Sequence, residues 1–305
     1  MKICEVQASP VTTYSETHCC RCWLECIDET KITVSGEEAA LEDSMAGSHF
    51  YPDFAAVLLK QKVAEQYGLK AENVLTGAGS SAMIDMIGLT FLDEGDEVLF
   101  SAPTYGAFAD MAYLNGGVPV SVSVTEEQKF NLPAMKEKIG EKTKIVVICN
   151  PNNPTGALYP KEVLQQIVEL AREHQLIIFS DEIYDRLVMD GLEHVSIASL
   201  APDLFCVTFS GLSKSHMIAG FRIGWMILSG NKSIAADYIE GLKMLSNMRL
   251  CSNVPAQSIV QTALGGHQSV ESYIVPGGRI YEQREYIYNA LTDIPGISAV
   301  KPQAA

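Results

Sequence analysis

Short apolar runs alternate with helix-forming stretches along most of this chain, beginning near residue 51. We interpret the apolar runs as buried strands, at residues 73–76, 96–100, 118–124, 144–149, 175–180, 204–210 and 223–229. Helical periodicity is found at residues 54–67, 81–91, 105–115, 131–139, 160–173, 231–249, 254–265 and 278–292. Buried strands separated by helices are typical of an α/β fold. We therefore predict a three-layer α/β/α domain with a mostly parallel sheet.

The same pattern predicts how the chain is divided. Residues 1–48 show no clear period and are expected to form an atypical N-terminal segment. Residues 49–275 are expected to form one large domain, and residues 276–305 the beginning of a smaller second domain. The last ten residues, GISAVKPQAA, predict the start of another strand, so the small domain is expected to be incomplete.

Composition limits the classes of partner. The chain has 305 residues, 47% of them hydrophobic, and a net charge of −15. An excess of negative charge argues against nucleic acid or an anionic membrane as partner. No apolar run reaches membrane-spanning length, and the N-terminus lacks the apolar core of a signal peptide, so a cytoplasmic location is expected. An anionic ligand would need its own local cations.

Cysteines are concentrated near the N-terminus, in the stretch at residues 19–26 beside His18. A zinc knuckle is one interpretation, but the spacing is not a paired C-x2-C pattern and no second cluster completes it. We therefore predict no metal site. Cys149, Cys206 and Cys251 lie among apolar residues and are expected to be reduced core residues.

Candidate ligand-binding residues follow the first two predicted strands. In parallel sheets, ligands bind at the carboxyl ends of the strands. In TGAGSSAM (76–83), Gly79 permits a tight turn and Ser80 begins a helix, which is a ready anion site. Taken alone, this segment favours an ordinary helix N-cap with a glycine turn. Tyr105 follows the second strand and could stack on a flat ligand, although a core tyrosine is the commoner case.

Two further strand ends carry polar residues. In NPNNPTG (150–156), Asn153 precedes a proline and is held extended within a rigid turn, so its amide can point at a ligand. In DEIYDRL (181–187), Asp181 and Tyr184 are three residues apart and would share a helical face. A carboxylate there could pair with a cationic ring nitrogen, or Asp181 could merely cap a helix.

The segment GLSKSHMIAGFRIGW holds Lys214 and Arg222 with no carboxylate to pair them. A lysine in a partly apolar site has a lowered pKa and becomes a nucleophile for aldehydes. The planar fork of an arginine suits a phosphate. A solvated surface lysine is the alternative, but the flanking residues do not form a charged face.

One ligand would satisfy these side chains if it carried an aldehyde, a phosphate, and a flat ring with a basic nitrogen and a phenolic oxygen. Pyridoxal 5′-phosphate (PLP) has all of these groups. The side chains that it would contact are Ser80, Tyr105, Asn153, Asp181, Tyr184, Ser213, Lys214 and Arg222.

From residue 51 onward the chain resembles the fold-type I, PLP-dependent aminotransferases of class I/II. The matching motifs are FYPD, TGAGSSA, APTYG, NPNNPTG, SDEIYD and GLSKSHMIAGFRIGW, in the order of that family. The resemblance implies that Lys214 is the catalytic residue, bonded to the cofactor aldehyde. It further implies contacts of Asp181 with the ring nitrogen, of Tyr105 with the ring face, and of Asn153 and Tyr184 with the ring oxygen. The implied phosphate ligands are Gly79, Ser80, Ser213, Arg222 and, from a neighbouring subunit, Tyr51, so a homodimer is expected.

Within the family, the rear of the chain is most similar to bacterial glutamate–pyruvate (alanine) aminotransferases, and the front to the histidinol-phosphate branch. We therefore expect amine transfer between an L-amino acid and a 2-oxo acid, with alanine or glutamate and pyruvate or 2-oxoglutarate. Alternatives are a histidinol-phosphate or aromatic aminotransferase, or a C–S lyase or decarboxylase on the same scaffold. A PLP-binding protein with little activity is also an alternative, because no residue here matches the family's arginine for the substrate α-carboxylate.

Overall fold

Seven strands form one sheet in the described part of the chain. The computed structural model describes residues 37–50, 53, 55–126, 129–248 and 252–304. The strands are β1 (Val74–Gly77), β2 (Glu97–Ala102), β3 (Val118–Ser123), β4 (Thr143–Cys149), β5 (Ile177–Asp181), β6 (Phe205–Gly211) and β7 (Gly224–Gly230). Each coincides with a predicted apolar run to within two residues, so the strand predictions are confirmed.

Sheet order determines which loops meet. The strands lie in the order β1-β7-β6-β5-β4-β2-β3. β2 to β6 are mutually parallel, whereas β7 is antiparallel to both of its neighbours, β1 and β6. The prediction of a mostly parallel sheet is therefore confirmed. The carboxyl ends of β1, β2, β4, β5 and β6 lie at one edge of the sheet, together with the start of β7.

The helices of the described residues range from four to fourteen residues in length. They are α1 (Glu37–Ala46), α2 (Val57–Gln66), α3 (Ser80–Phe91), α4 (Ala107–Leu114), α5 (Leu132–Lys138), α6 (Lys161–Glu173), α7 (Leu212–Ser215), α8 (Ala236–Met248), α9 (Val254–Ser258), α10 (Val260–Gly265), α11 (Val270–Tyr273) and α12 (Arg279–Thr292). α6 illustrates why such segments are helical. Its buried residues Leu164, Ile167, Val168 and Ala171 recur every three or four positions, so they form one apolar stripe.

The two faces of the sheet carry separate cores. Along β4, Ile145 and Val147 pack in the cluster that includes α3, α4 and α8, whereas Val146 and Ile148 pack in the cluster that includes α5 and α6. Alternating residues of a strand point to opposite faces, which accounts for this division. Helix, sheet and helix layers are therefore present as predicted. Cys149 is buried with a free thiol, as expected.

One strand prediction is wrong. The last ten residues form no strand among those described; an isolated bridge joins Ala304 to Val188 instead. Pro302 has no N–H to donate to a ladder, and the N–H groups of Gln303 and Ala304 both donate to the Gly156 carbonyl. The helical prediction for residues 254–265 is confirmed, as the two short helices α9 and α10.

The segment after β5 is a series of turns rather than the predicted helix. The Glu182 N–H donates to the Phe209 carbonyl of β6, so the pairing of the chain with β6 continues one residue past the end of β5. The Ile183 N–H then donates to the Asp181 carboxylate at 3.2 Å, which forms a side-chain turn. Asp181 and Tyr184 are consequently brought together by this turn and not by a helix.

Several predictions fall on residues outside the described ranges. Tyr51, Cys251 and the cysteine-rich stretch at residues 19–26 are among them, so their roles stay predictions. The division into domains at residues 48/49 and 275/276 also stays a prediction. Within the described ranges, no helix is long and apolar enough to span a membrane.

Candidate active site

The sheet register aligns the strand ends from which the predicted site residues come. Asp181, the last residue of β5, pairs with Cys149 of β4 on one side and with Phe209 of β6 on the other. Gly224, the first residue of β7, pairs with Gly211 of β6 and with Gly77 of β1. The loops that carry the predicted site residues therefore leave the sheet at one edge.

Lys214 lies in α7, the short helix that follows β6 directly. Its side chain is half-buried, and the neighbouring residues Leu212 and Ser215 are buried. The ammonium lies 5.5 Å from the centroid of the Tyr184 ring and is close enough to Asp181 to affect its pKa. It forms no hydrogen bond or ion pair with the described residues. The amine is thus available to an incoming aldehyde.

Asp181 is a buried carboxylate with few partners. The residue is 3% exposed, and its Oδ1 accepts one hydrogen bond, from the Ile183 N–H. Burial raises the pKa of this carboxyl to about 6, although the Ile183 N–H and Lys214 act in the opposite direction. A carboxylate in this environment would be stabilised by a cation at its free oxygen.

Arg222 and the start of α3 together form a cradle of hydrogen-bond donors. Arg222 has a left-handed backbone, with φ of 52°, and its Nη1 donates to the Ala219 carbonyl at 2.9 Å. A Cβ placed on Gly79 would lie 2.5 Å from Nη2 of Arg222, so the guanidinium contacts this glycine directly. A Cβ on Gly224 would lie 2.5 Å from the amide nitrogen of Ser80. The two glycines therefore let a guanidinium and a helix N-terminus converge, which suits a phosphate.

Three predicted ring contacts also lie at this edge. The Tyr105 hydroxyl is 3.5 Å from Oγ of Ser81, in the first turn of α3. Burial raises the pKa of Tyr184 to about 12, and the charge on Asp181 contributes, so this phenol stays protonated and can donate. Asn153 is half-buried at the tip of a turn closed by the Asn152 N–H, which donates to the Ala157 carbonyl at 2.9 Å.

Ser213 lies beside Lys214 in α7 and is half-buried. With Ser213, every predicted site residue that lies in the described ranges has been placed. Of all the predicted site residues, Tyr51 alone falls outside the described ranges.

A buried pair behind the site was not predicted. Oε1 of Glu182 accepts hydrogen bonds from Ser180, Ser196 and the Ile197 N–H, and Oε2 lies 3.6 Å from Nε2 of His194. Burial raises the pKa of Glu182 to about 8 and lowers that of His194 to about 4, so both are neutral near pH 7. The DE pair in the sequence gives no signal of this difference between two adjacent carboxyl groups.

The chain is similar in sequence to known proteins of one family. Residues 14–305 match the family model described as aminotransferase class I and II. The chain is 48% identical over 264 residues to the glutamate-pyruvate aminotransferase AlaA of Haemophilus influenzae, covering 84% of this chain and 65% of the relative. It is 51% identical over 236 residues to AlaA of Escherichia coli K12, covering 77% of this chain and 58% of the relative. The chain thus spans less than two thirds of the length of these relatives.

Solved structures give the same result. A crystal structure of an aminotransferase from Escherichia coli matches with a TM-score of 0.86 and 44% identity, covering 88% of this chain and 69% of that one. An alanine aminotransferase from Pyrococcus furiosus matches with a TM-score of 0.82 and 32% identity, covering 88% and 70%.

Proposed function

Because this chain belongs to the class I and II aminotransferase family, we propose that it transfers an amino group between an L-amino acid and a 2-oxo acid. The observation that carries the proposal is the Lys214 amine, half-buried at the sheet edge and unpaired among the described residues. It lies near the buried carboxylate of Asp181. A nucleophilic amine beside a buried carboxylate, with an anion cradle at the same edge, fits a cofactor and not a structural ion pair.

PLP is the proposed cofactor, and two observations support its fit. The cradle of Arg222, Gly79 and Ser80 would hold its phosphate, and Ser213 would add a hydroxyl. The free oxygen of Asp181 would accept a hydrogen bond from its protonated ring nitrogen. Bound PLP would supply an electron-withdrawing ring that stabilises negative charge at the substrate Cα.

The protein residues would then have separate tasks. Lys214 would hold the cofactor through its aldehyde group, and its amine would serve as the base and acid that moves a proton at the substrate Cα. Asp181 would keep the ring nitrogen protonated. Tyr105 would cover one face of the ring and so exclude water from it, while Asn153 and Tyr184 would donate hydrogen bonds to the ring oxygen.

The proposed substrates are alanine or glutamate with 2-oxoglutarate or pyruvate. The names of the two AlaA relatives, both glutamate-pyruvate aminotransferases, support this choice. A homodimer is part of the proposal, since Tyr51 of a second copy would reach the phosphate.

An amine-transfer assay on the PLP-loaded protein tests the proposal. L-alanine with 2-oxoglutarate should give equal amounts of glutamate and pyruvate, and Lys214→Ala should lower this rate by at least about a thousandfold. Histidinol phosphate and phenylalanine are included as competing donors. Pyruvate released from a cysteine conjugate without any 2-oxo acid would indicate a lyase instead, and bound PLP without amine transfer would contradict the proposal.

A further inference from the structure

We propose that Arg284 is a positioning residue for the cofactor site, acting through a strap that joins the turn carrying Asn153 to the turn carrying Tyr184. The strap is defined as residues 302–304. This inference rests on the proposed function, because Asn153 and Tyr184 matter here as donors to the same ring oxygen.

The two donors come from separate loops beyond the sheet. The pairing of β4 with β5 ends at Cys149 and Asp181. Beyond this pair, the Asn150 N–H donates one more hydrogen bond to the Asp181 carbonyl. Asn153 and Tyr184 both lie past these points. Two donors on separate loops bond one small atom reliably only if something fixes the loops relative to each other.

The strap contacts the Asn153 turn at its base. The N–H groups of Gln303 and Ala304 both donate to the Gly156 carbonyl, at 2.9 Å and 3.0 Å. The Gly156 N–H in turn donates to the Asn152 carbonyl at 2.8 Å, so Gly156 closes the turn that holds Asn153. A movement of the strap would therefore be transmitted to Asn153 through Gly156.

The strap also packs tightly against Gly156. Its φ is 66°, and a Cβ there would lie 2.6 Å from Cβ of Pro302 and 2.7 Å from the Ala304 carbonyl oxygen. The second of these atoms belongs to the backbone, which cannot rotate away as a flexible side chain could. A larger residue at position 156 would separate the strap from the turn.

The other side of the strap contacts the chain just after Tyr184. The Leu187 N–H donates to the Tyr184 carbonyl at 2.9 Å, and Val188 then forms the isolated bridge with Ala304. The Met189 N–H donates to the Gln303 carbonyl at 2.9 Å. The strap is thereby bonded to both loops at once.

Arg284 of α12 holds the strap against the second loop. Its Nη1 and Nη2 each donate to the Asp190 carboxylate at 2.7 Å, and Nη1 also donates to the Pro302 carbonyl at 3.1 Å. The residue is 7% exposed, and its guanidinium lies 4.7 Å from the centroid of the Tyr281 ring. A bidentate pair made by a buried guanidinium fixes orientation as well as distance, which is what a positioning role requires.

The pH midpoint of the visible absorbance of the PLP-loaded protein reports on this geometry. Donors to the ring oxygen withdraw the negative charge that attracts the proton on the nitrogen linking Lys214 to the cofactor. Well-placed donors therefore lower the midpoint, and displaced donors raise it. A change of fold stability alone would not move this midpoint.

Arg284→Gln should raise the midpoint by about one pH unit, the shift expected when one charge-assisted hydrogen bond is weakened. Arg284→Lys keeps the charge but loses the fork, so it should give a smaller rise. Arg172→Gln is the matched control. It removes a bidentate pair with Asp203, at 2.7 Å and 2.8 Å, on the exposed side of α6, and should leave the midpoint unchanged.

Gly156→Ala provides an independent test if Arg284→Gln fails to fold. It should raise the midpoint, whereas Gly68→Ala should not. Gly68 has a similar φ of 64°, but a Cβ there would meet nothing within 4 Å. Asn153→Ala serves as the reference for a lost donor. If Asn153→Ala raises the midpoint while Gly156→Ala and every folded Arg284 variant leave it unchanged, the strap inference is overturned and the proposed function stands. If the wild-type protein has no visible band, both are overturned.

Discussion

Asp181 and Glu182 are adjacent in the chain, yet their carboxyl groups have different environments. Burial raises the pKa of the Asp181 carboxyl to about 6. This carboxylate accepts a single backbone hydrogen bond, so an additional cation would stabilise it. Glu182 accepts three hydrogen bonds, and its pKa of about 8 keeps it protonated near pH 7. The first carboxyl group is suited to a ligand, and the second to the protein interior.

Asp181→Asn should leave PLP bound but lower kcat/KM for amine transfer by about 10²–10³, because the ring nitrogen loses its ionic partner. The pH dependence of PLP binding gives a second measurement. The wild-type affinity should fall as the pH drops below about 6, where the Asp181 carboxylate of the empty site takes up a proton. This acid limb should be absent in Asp181→Asn. Retention of wild-type kcat/KM by the variant would contradict the assigned role.

Glu182→Gln should not lower stability near pH 7, because the amide oxygen can accept the same three hydrogen bonds and the amide N–H can face His194. Between pH 4.5 and about 8 the folded wild type holds a proton on Glu182 that the unfolded chain has released, so its stability falls as pH rises through this window. As the pH rises across this range, the unfolding free energy of Glu182→Gln should therefore increase relative to that of the wild type. Glu182→Ala, which leaves three donors unpaired, should lose about 2–4 kcal/mol in urea unfolding.

At the scale of elements, the site depends on how closely β7 approaches the first turn of α3. Gly224 and Gly220 lie on either side of Arg222 in the sequence, and the sequence alone gives no reason to distinguish them. In the structure a Cβ on Gly224 would lie 2.5 Å from the Ser80 nitrogen, whereas a Cβ on Gly220 would meet nothing within 4 Å. Only one of the two glycines is therefore required by packing.

Gly224→Ala should lower the free energy of unfolding by about 1–3 kcal/mol, because the added methyl group pushes on the backbone of Ser80. It should also weaken PLP binding, since the phosphate cradle includes that amide. Gly220→Ala is the matched control and should stay within about 0.5 kcal/mol of wild type. Urea denaturation and a PLP titration of the apoprotein measure both effects, and equal behaviour of the two variants would refute this account of the cradle.

For the whole molecule, the sequence predicts the strands well because each is a short apolar run bounded by turn residues. It does not predict their order. The pairing of β1 with β7, which joins Val74 to Ile227, depends on contacts between distant parts of the chain. Helix α1 was missed because Leu41 and Met45 are its only large apolar residues, too few for a clear stripe.

The candidate site was predictable for a related reason. Parallel strands bring their carboxyl ends to one edge, so residues that follow different strands can be assigned to one site from the strand positions alone. The Glu182–His194 pair and the contacts of Arg284 could not be found this way. They depend on turns that follow β5 and on residues 302–304, where the sequence predicts a helix and a strand that the structure replaces with turns and an isolated bridge.

The central claim is that Lys214 bonds covalently to PLP. Borohydride reduction of the PLP-loaded protein makes such a bond permanent, and mass spectrometry of a digest then locates it. We expect one phosphopyridoxyl group per chain, on the peptide that contains Lys214. A cofactor found mainly on other lysines, or no covalent adduct at all, would contradict the claim.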